Sequence, residues 1–207
     1  AFCKRLSTRP YVTIDTEFIR ERTYWSQLCL IQAASDQEEA IIDALSPDIE
    51  LAPFLDLLNI ADTLKVFHAA RQDLEIFYKL SGRLPNKIFD TQVAAMVCGF
   101  GDSVGYQTLV KHYTNEEIDK SARFTDWARR PLTERQLSYA LSDVTLLRPI
   151  FENLSEELKR SGRHDWIEEE MNILYDPNTY ENSPALAWKR LKARTRDLRY
   201  LGRLKAI

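Results

Sequence analysis

The run Tyr11-Val12-Thr13-Ile14-Asp15-Thr16-Glu17-Phe18 constrains this chain more than any other, because a β-branched, apolar stretch ends on two acids spaced i and i+2. Successive side chains of a strand alternate between faces, so Asp15 and Glu17 project to the same side. Two carboxylates held that close repel each other and resist burial unless a cation lies between them. A divalent metal is the economical explanation. For an Asp-x-Glu taken alone, the alternative is a strand end meeting solvent. The choice between them rests on further acids.

Two other segments supply those acids. Lys65-Val66-Phe67-His68 reads as a short strand running into Ala69-Ala70-Arg71-Gln72-Asp73-Leu74-Glu75-Ile76-Phe77-Tyr78, where Leu74, Phe77 and Tyr78 recur at helical spacing. Asp73 then lies in a first helical turn, a place where the helix dipole also favours an acid for structural reasons alone. In residues 133–147, Thr133 with Gln136 three positions on has the form of a capping box. That helix start sets Tyr139 and Asp143 one turn apart on one face, with Cβ atoms roughly 5–6 Å apart. The structural alternative is an ordinary Tyr/Asp pair on a half-exposed helix. Four carboxylates from a strand end, a helix start and a second helix meet the demand of a two-metal phosphodiesterase, in which cations about 3.5–4 Å apart clamp the attacking and leaving oxygens. Hard oxygen ligands suit Mg²⁺ or Mn²⁺ rather than Zn²⁺.

Asp15-Thr16-Glu17-Phe18, Phe67-His68-Ala69-Ala70-Arg71-Gln72-Asp73-Leu74 and Tyr139-Ala140-Leu141-Ser142-Asp143 resemble, in order and spacing, the three exonuclease motifs of the DEDD 3′→5′ exonucleases, in the subgroup with tyrosine in the third motif. Within that superfamily the chain most resembles the bacterial ribonuclease D family. The likeness runs from about Tyr11 to the C-terminus and takes in residues 20–28, 89–92 and 126–133. One departure is Phe124, which stands where related sequences usually carry a polar residue. The resemblance implies an α/β, ribonuclease-H-like mixed five-stranded sheet flanked by helices, with a helical C-terminal extension. It also implies a metal-dependent 3′→5′ exoribonuclease that releases nucleoside 5′-monophosphates, trimming 3′ ends of tRNA precursors and other structured RNAs with two divalent ions, Mg²⁺ or Mn²⁺. In the roles it implies, Asp15 bridges both metals and Glu17 binds one while accepting from the terminal 3′-hydroxyl. Asp143 holds the metal carrying the attacking water, Asp73 helps through water, and Tyr139 orients that water.

For the substrate, single-strand sites combine aromatic platforms with cations. Phe18, Trp25, Tyr24, Phe67, His68 and Trp127 are the candidate platforms, and Arg20, Arg22, Arg129 and Arg130 the candidate phosphate ligands. Core packing is the competing role for Phe18 and Phe67, whereas Trp25 and Trp127 are expected to be exposed. Asp90 is expected to cap the following helix rather than bind metal.

Composition bounds the remaining possibilities. A chain of 207 residues supports one sizeable domain with a short appendage. Cys3, Cys29 and Cys98 form no C-x-x-C pair and cannot all be bridged, which predicts reduced thiols and a cytoplasmic setting. His68, His112 and His164 are scattered, which argues against a zinc site, and the lone His164-Asp165 dipeptide is expected to be a surface pair. No apolar run approaches a membrane span and no charged-then-apolar leader is present; the start at Ala1 suggests a few missing residues. No obligate protein partner is evident. Net charge is −3, yet from Trp188 onward Lys189, Arg190, Lys192, Arg194, Arg196, Arg199, Arg203 and Lys205 oppose only Asp197, leaving +7 there and −10 before it. Such a tail either tracks a phosphate backbone or forms a solvated basic face.

Along the chain, Gln27-Leu28-Cys29-Leu30-Ile31-Gln32-Ala33-Ala34 and Glu39-Ala40-Ile41-Ile42-Asp43 read as two strands continuing an antiparallel meander. A helix over 49–58 implies a crossover that returns 65–67 parallel to the first strand, and Lys87-Ile88-Phe89-Asp90 supplies a fifth. Helices are expected over 91–97, 106–112, 133–160 and 165–175, with Pro149 kinking or dividing the third unless it opens a new turn. Turn residues near 176–184 suggest an exonuclease domain over residues 1–176, then a linker and the start of a truncated helical accessory domain over 177–207. Two other readings remain open from sequence: a DNA 3′→5′ repair or proofreading exonuclease with the same metal chemistry, and a non-catalytic nucleic-acid-binding module.

Overall fold

In the computed structural model, residues 1–21, 23–181 and 202–203 are described, with Lys120 and His164 as backbone only. Arg22, the His164 side chain and, apart from residues 202 and 203, the basic tail from Trp188 therefore lie outside the described residues. The first compact unit is Ala1–Tyr175 and the second is Asp176–Ile207.

The sheet is organised around β1 (Tyr11–Ile19), whose Val12, Thr13 and Ile14 are fully buried. Their β-branched side chains suit a pleated surface covered on both faces. β2 (Gln27–Ala34) runs antiparallel to β1, and β3 (Glu39–Asp43) antiparallel to β2. β4 (Leu64–Phe67) and β5 (Ile88–Asp90) then add in parallel on the other side, giving the order β3-β2-β1-β4-β5. This is the mixed five-stranded sheet that the sequence predicts, with β1 in the middle. The β1/β2 register slips once: Glu17 lies opposite Leu30 but Phe18 opposite Leu28, so Cys29 is the extra residue of a β-bulge. Its carbonyl accepts from the Ala44 N–H at 3.1 Å, on the β3 side of β2.

The helices follow the sequence reading closely, with differences at their ends. α1 (Phe2–Leu6) packs on α2 (Ala52–Leu58) and precedes the first element anticipated from sequence. α2 starts three residues later than periodicity suggests, with Pro53 in its first turn, where a missing N–H costs nothing. α3 (Arg71–Ser81) ends at Gly82, whose φ of +69° closes the last turn. It begins two residues after the expected Ala69, because Ala69 is left-handed (φ +57°) and its N–H and that of Ala70 donate to the Asp90 carboxylate at 2.9 and 2.8 Å. Asp90 also accepts from the Gln92 N–H at 2.8 Å, so it caps α4 (Thr91–Val97) as expected. α5 (Tyr106–Thr114) ends on left-handed Asn115.

The segment over 133–160 divides at Leu146 into α6 (Glu134–Thr145) and α7 (Leu147–Ser161). The break comes three residues before Pro149, which sits in the first turn of α7, where its ring is tolerated. The capping box forms: Thr133 Oγ1 accepts from the Gln136 N–H, and the Thr133 N–H donates to Gln136 Oε1 at 3.0 Å. α7 buries Leu147, Ile150, Leu154 and Leu158 on one stripe, and α4 and α5 pack against it. α8 (His164–Asn172) passes into a 3₁₀ turn, Ile173–Tyr175. In the second unit, Asp176 caps the turn Pro177–Thr179. No helix among the described residues is long and apolar enough to cross a membrane.

Candidate active site

The chemistry gathers where β1 meets α6. Strand alternation sends Asp15 and Glu17 to one face, and α6, packed across β1, β2 and β3, delivers Asp143 to them. Ligand oxygens of these three carboxylates lie within 4.8 Å of one another. Tyr139, one turn earlier on α6, lines the same recesses as Asp15 and Asp143, and its hydroxyl lowers the Asp143 pKa against the effect of burial. The Tyr106 hydroxyl donates at 2.9 Å to the Asp143 carbonyl and lies 3.0 Å from that of Ser142, which fixes the backbone that carries Asp143.

Asp73 stands outside that group of three, although four carboxylates together were expected. Its Oδ1 accepts from the Thr16 hydroxyl at 2.5 Å, and the side chain is buried in the first turn of α3. Thr16 is the residue between the two β1 acids, so Asp73 is tied to the strand that presents them without joining their cluster.

Burial and mutual repulsion dominate the electrostatics. Burial, then the Asp15 charge, pushes Glu17 up to about 10; burial raises Asp143 to about 7 despite the opposing effect of the neighbouring Tyr139 hydroxyl. Asp15 is held well above its ordinary value by burial and Asp143, and Asp73 by burial and Asp15. Burial and the Asp143 charge also raise Tyr139, which keeps its proton and acts as a donor. Acidic oxygens that resist ionisation for want of positive charge make a donor set that fits a hard divalent cation.

This arrangement has a pH consequence. Carboxyls whose folded pKa exceeds the unfolded value of about 4 bind more protons folded than unfolded, so stability falls as pH rises through that window. For the metal-free protein the window runs from about pH 4 through Asp143 near 7 and on toward Glu17 near 10. Cation binding must displace those protons, so the rise in Tm produced by Mg²⁺ over EDTA is expected to grow between about pH 6 and about pH 8. Thermal melts in both buffers test this, and a pH-independent increment would rule it out.

Two recesses meet at the acids and share Asp15, His68, Ala69, Arg123, Tyr139 and Asp143. One, of about 400 Å³, is lined by Tyr106 and Leu147 as well; the other, of about 670 Å³, extends past Glu17 and Phe18 to Arg20 and Phe124. Phe18 and His68 line this cleft, as expected of substrate contacts. His68 is held by Thr91 at 3.0 Å and packs on Tyr106, and burial lowers its pKa.

The other expected contacts lie elsewhere. Trp127 is 3% exposed, packed against Cys29, Leu30, Ala140 and Tyr139, so only its edge reaches the cleft and no ring face is free for a base. Trp25 lines neither recess; Lys79 Nζ sits 4.0 Å over its ring and Tyr24 packs on its edge. Arg130 is consumed structurally. Its Nε and Nη2 donate to both Asp43 oxygens at 2.7 and 2.5 Å, Nη1 to the Trp127 carbonyl at 2.7 Å, and Nη2 also to the Cys29 carbonyl at 3.4 Å. Phe67 is core, and Arg20 pairs with Glu75 while still lining the cleft. Sequence reading missed Thr16, Tyr106 and Arg123. For Arg123, the signal available was its place beside the unusual Phe124.

A model of the 3′-5′ exonuclease family matches residues 1–159. Ribonuclease D of Sphingobium indicum is 51% identical over 207 residues, all of this chain and 53% of that protein. The chain thus spans about half the length of the curated relatives it matches. Among solved structures, Escherichia coli RNase D, described as an exoribonuclease involved in structured RNA processing, superposes with a TM-score of 0.85 at 37% identity, over 91% of this chain and 50% of the other. Brucella melitensis NrnC with bound Mg²⁺ superposes at 0.74 and 25% identity over 92% of each chain, and NrnC has also been solved bound to pGG.

Proposed function

The chain belongs to the 3′-5′ exonuclease family, and from that premise we propose that it is a metal-dependent exoribonuclease releasing nucleoside 5′-monophosphates from 3′ ends. The observation that carries this reading is the convergence of the Asp15, Glu17 and Asp143 oxygens within 4.8 Å, with Tyr139 lining the same recesses. Asp15, Glu17 and Asp143 would hold two divalent ions, Mg²⁺ or Mn²⁺, with Asp73 supporting them from behind Thr16. Bound cations supply charge neutralisation at the phosphate and a water acidic enough to attack near neutral pH.

The remaining roles belong to the protein. Glu17, flanking the larger recess, accepts from the terminal 3′-hydroxyl. Tyr139 keeps its hydrogen and directs it at Asp143 or the attacking water, so it positions rather than deprotonates. Tyr139→Phe is accordingly expected to lower kcat by about 10²-fold while KM stays within a few-fold. Steady-state kinetics on a short RNA decide the point, and an equal loss in KM would assign the hydroxyl to substrate binding instead.

Residues 1–176 form the exonuclease domain in this reading, and 177–207 a linker and the start of a helical accessory domain. The proposed substrates are single-stranded 3′ ends of structured RNAs, tRNA precursors in particular, in keeping with what E. coli RNase D is described as doing and with pGG on NrnC. Three free cysteines accord with a reducing cytoplasm. A time course on 5′-labelled single-stranded RNA and matching DNA, in Mg²⁺, Mn²⁺ or EDTA, tests the reading. Metal-dependent shortening of RNA from the 3′ end, weak on DNA, is the expected result. Equal shortening of DNA would mark a broader or DNA-directed nuclease, and binding without shortening a non-catalytic module.

A further inference from the structure

The loop before α6 carries the most exposed large apolar side chain among the described residues, Phe124, 90% accessible at the mouth of the larger recess. Its neighbours are firmly anchored. Ala122 is buried, the Thr125 hydroxyl donates to the Ala122 carbonyl at 2.7 Å, and Gln136 Nε2 on α6 donates to Thr125 at 3.1 Å. Upstream, Asp119 accepts from the Ser121 N–H and pairs with Arg135. Between these braces only Arg123 and Phe124 project outward, with the guanidinium carbon 5.2 Å from the ring centroid.

Arg123 has no hydrogen bond or salt bridge among the described residues, yet it lines both recesses. Its charge also opposes the effect of burial at Glu17, Tyr139 and Asp143. A cation with no direct ion pair among the described residues, at the junction of two cavities and beside an exposed aromatic ring, is the pairing that single-stranded nucleic acid recognises: phosphate to the cation, base to the ring.

We propose that Arg123 and Phe124 clamp the 3′-terminal nucleotide, Phe124 stacking on its base and Arg123 holding its phosphate, so that the identity of the terminal base tunes trimming. The inference rests on the exonuclease reading, because it is Glu17, as acceptor of the 3′-hydroxyl, that assigns the terminal nucleoside to the recess containing Phe124. Purines, with the larger ring face, are held more tightly than pyrimidines, and a paired terminal base has no face to offer.

The test uses RNA carrying 2-aminopurine at its 3′ end, bound to the full chain in EDTA so that no strand is cut. Binding to the wild type quenches the fluorophore. Phe124→Ala abolishes the quench and weakens binding about tenfold, Phe124→Tyr keeps both, and Phe124→Leu loses the quench while preserving the apolar bulk. An RNA lacking its terminal base binds wild type and Phe124→Ala alike. Arg123→Ala flattens the salt dependence of binding by about 0.7 in the log–log slope. Melting temperatures of these surface variants, expected to equal that of the wild type, exclude unfolding as the cause. If Phe124→Ala retains the affinity and the quench while the wild type shortens RNA, the clamp is wrong and the exonuclease reading stands. If the wild type neither binds nor shortens RNA, both fall.

Discussion

Asp15→Asn is expected to slow 3′-end shortening by about 10³-fold or more while leaving the protein folded. Asp15 is the member of the cluster whose charge acts on both Glu17 and Asp73, and its own pKa is raised chiefly by burial and next by Asp143. Asn keeps the shape and removes the negative charge on which cation binding depends. The same change relieves repulsion in the metal-free protein, so its melting temperature near neutral pH should match or exceed that of the wild type, and the gain from Mg²⁺ should shrink. Labelled-RNA ladders and paired melts measure both halves. Unchanged shortening would show that the chemistry resides elsewhere, and a variant that fails to fold would show Asp15 to be structural.

The second large effect concerns a residue that sequence reading placed on the surface. Trp127→Ala is expected to cost about 3–5 kcal/mol of stability, because it empties the centre of the cluster formed by Cys29, Leu30 and Ala140 and removes the ring against which Tyr139 packs at 6.1 Å. The indole N–H finds no acceptor among the described residues, so Trp127→Phe should be much milder. Urea denaturation supplies the measurement, with RNA affinity recorded under folding conditions. Retained stability with lost RNA binding would restore Trp127 to the substrate side of the ledger.

The contrast between these two residues indicates what the sequence makes legible. Asp15 and Glu17 could be paired from period-two alternation, and Tyr139 with Asp143 from a helix whose start is written in Thr133 and Gln136; each of these inferences spans only a few residues. The mixed sheet followed in the same way from local strand and crossover patterns. Trp127 belongs to a loop without periodicity, so nothing local distinguishes a buried ring from an exposed one. Arg130 meets Asp43 across 87 residues and Asp73 meets Thr16 across 57, contacts that only the assembled sheet creates. The spacing of Leu74, Phe77 and Tyr78 carries the helical reading back to Ala69, yet the Asp90 carboxylate, 21 residues on, holds the Ala69 N–H in a left-handed turn.

The bulge at Cys29 is linked through Arg130 to one wall of the cleft. The Cys29 carbonyl, which accepts from the Ala44 N–H, also receives Arg130, and Arg130 in turn donates to the Trp127 carbonyl of the loop that lines the cleft. Floor and wall thus share one joint. A change at Asp43 or Arg130 would therefore loosen that wall from the sheet without touching an acid of the cluster.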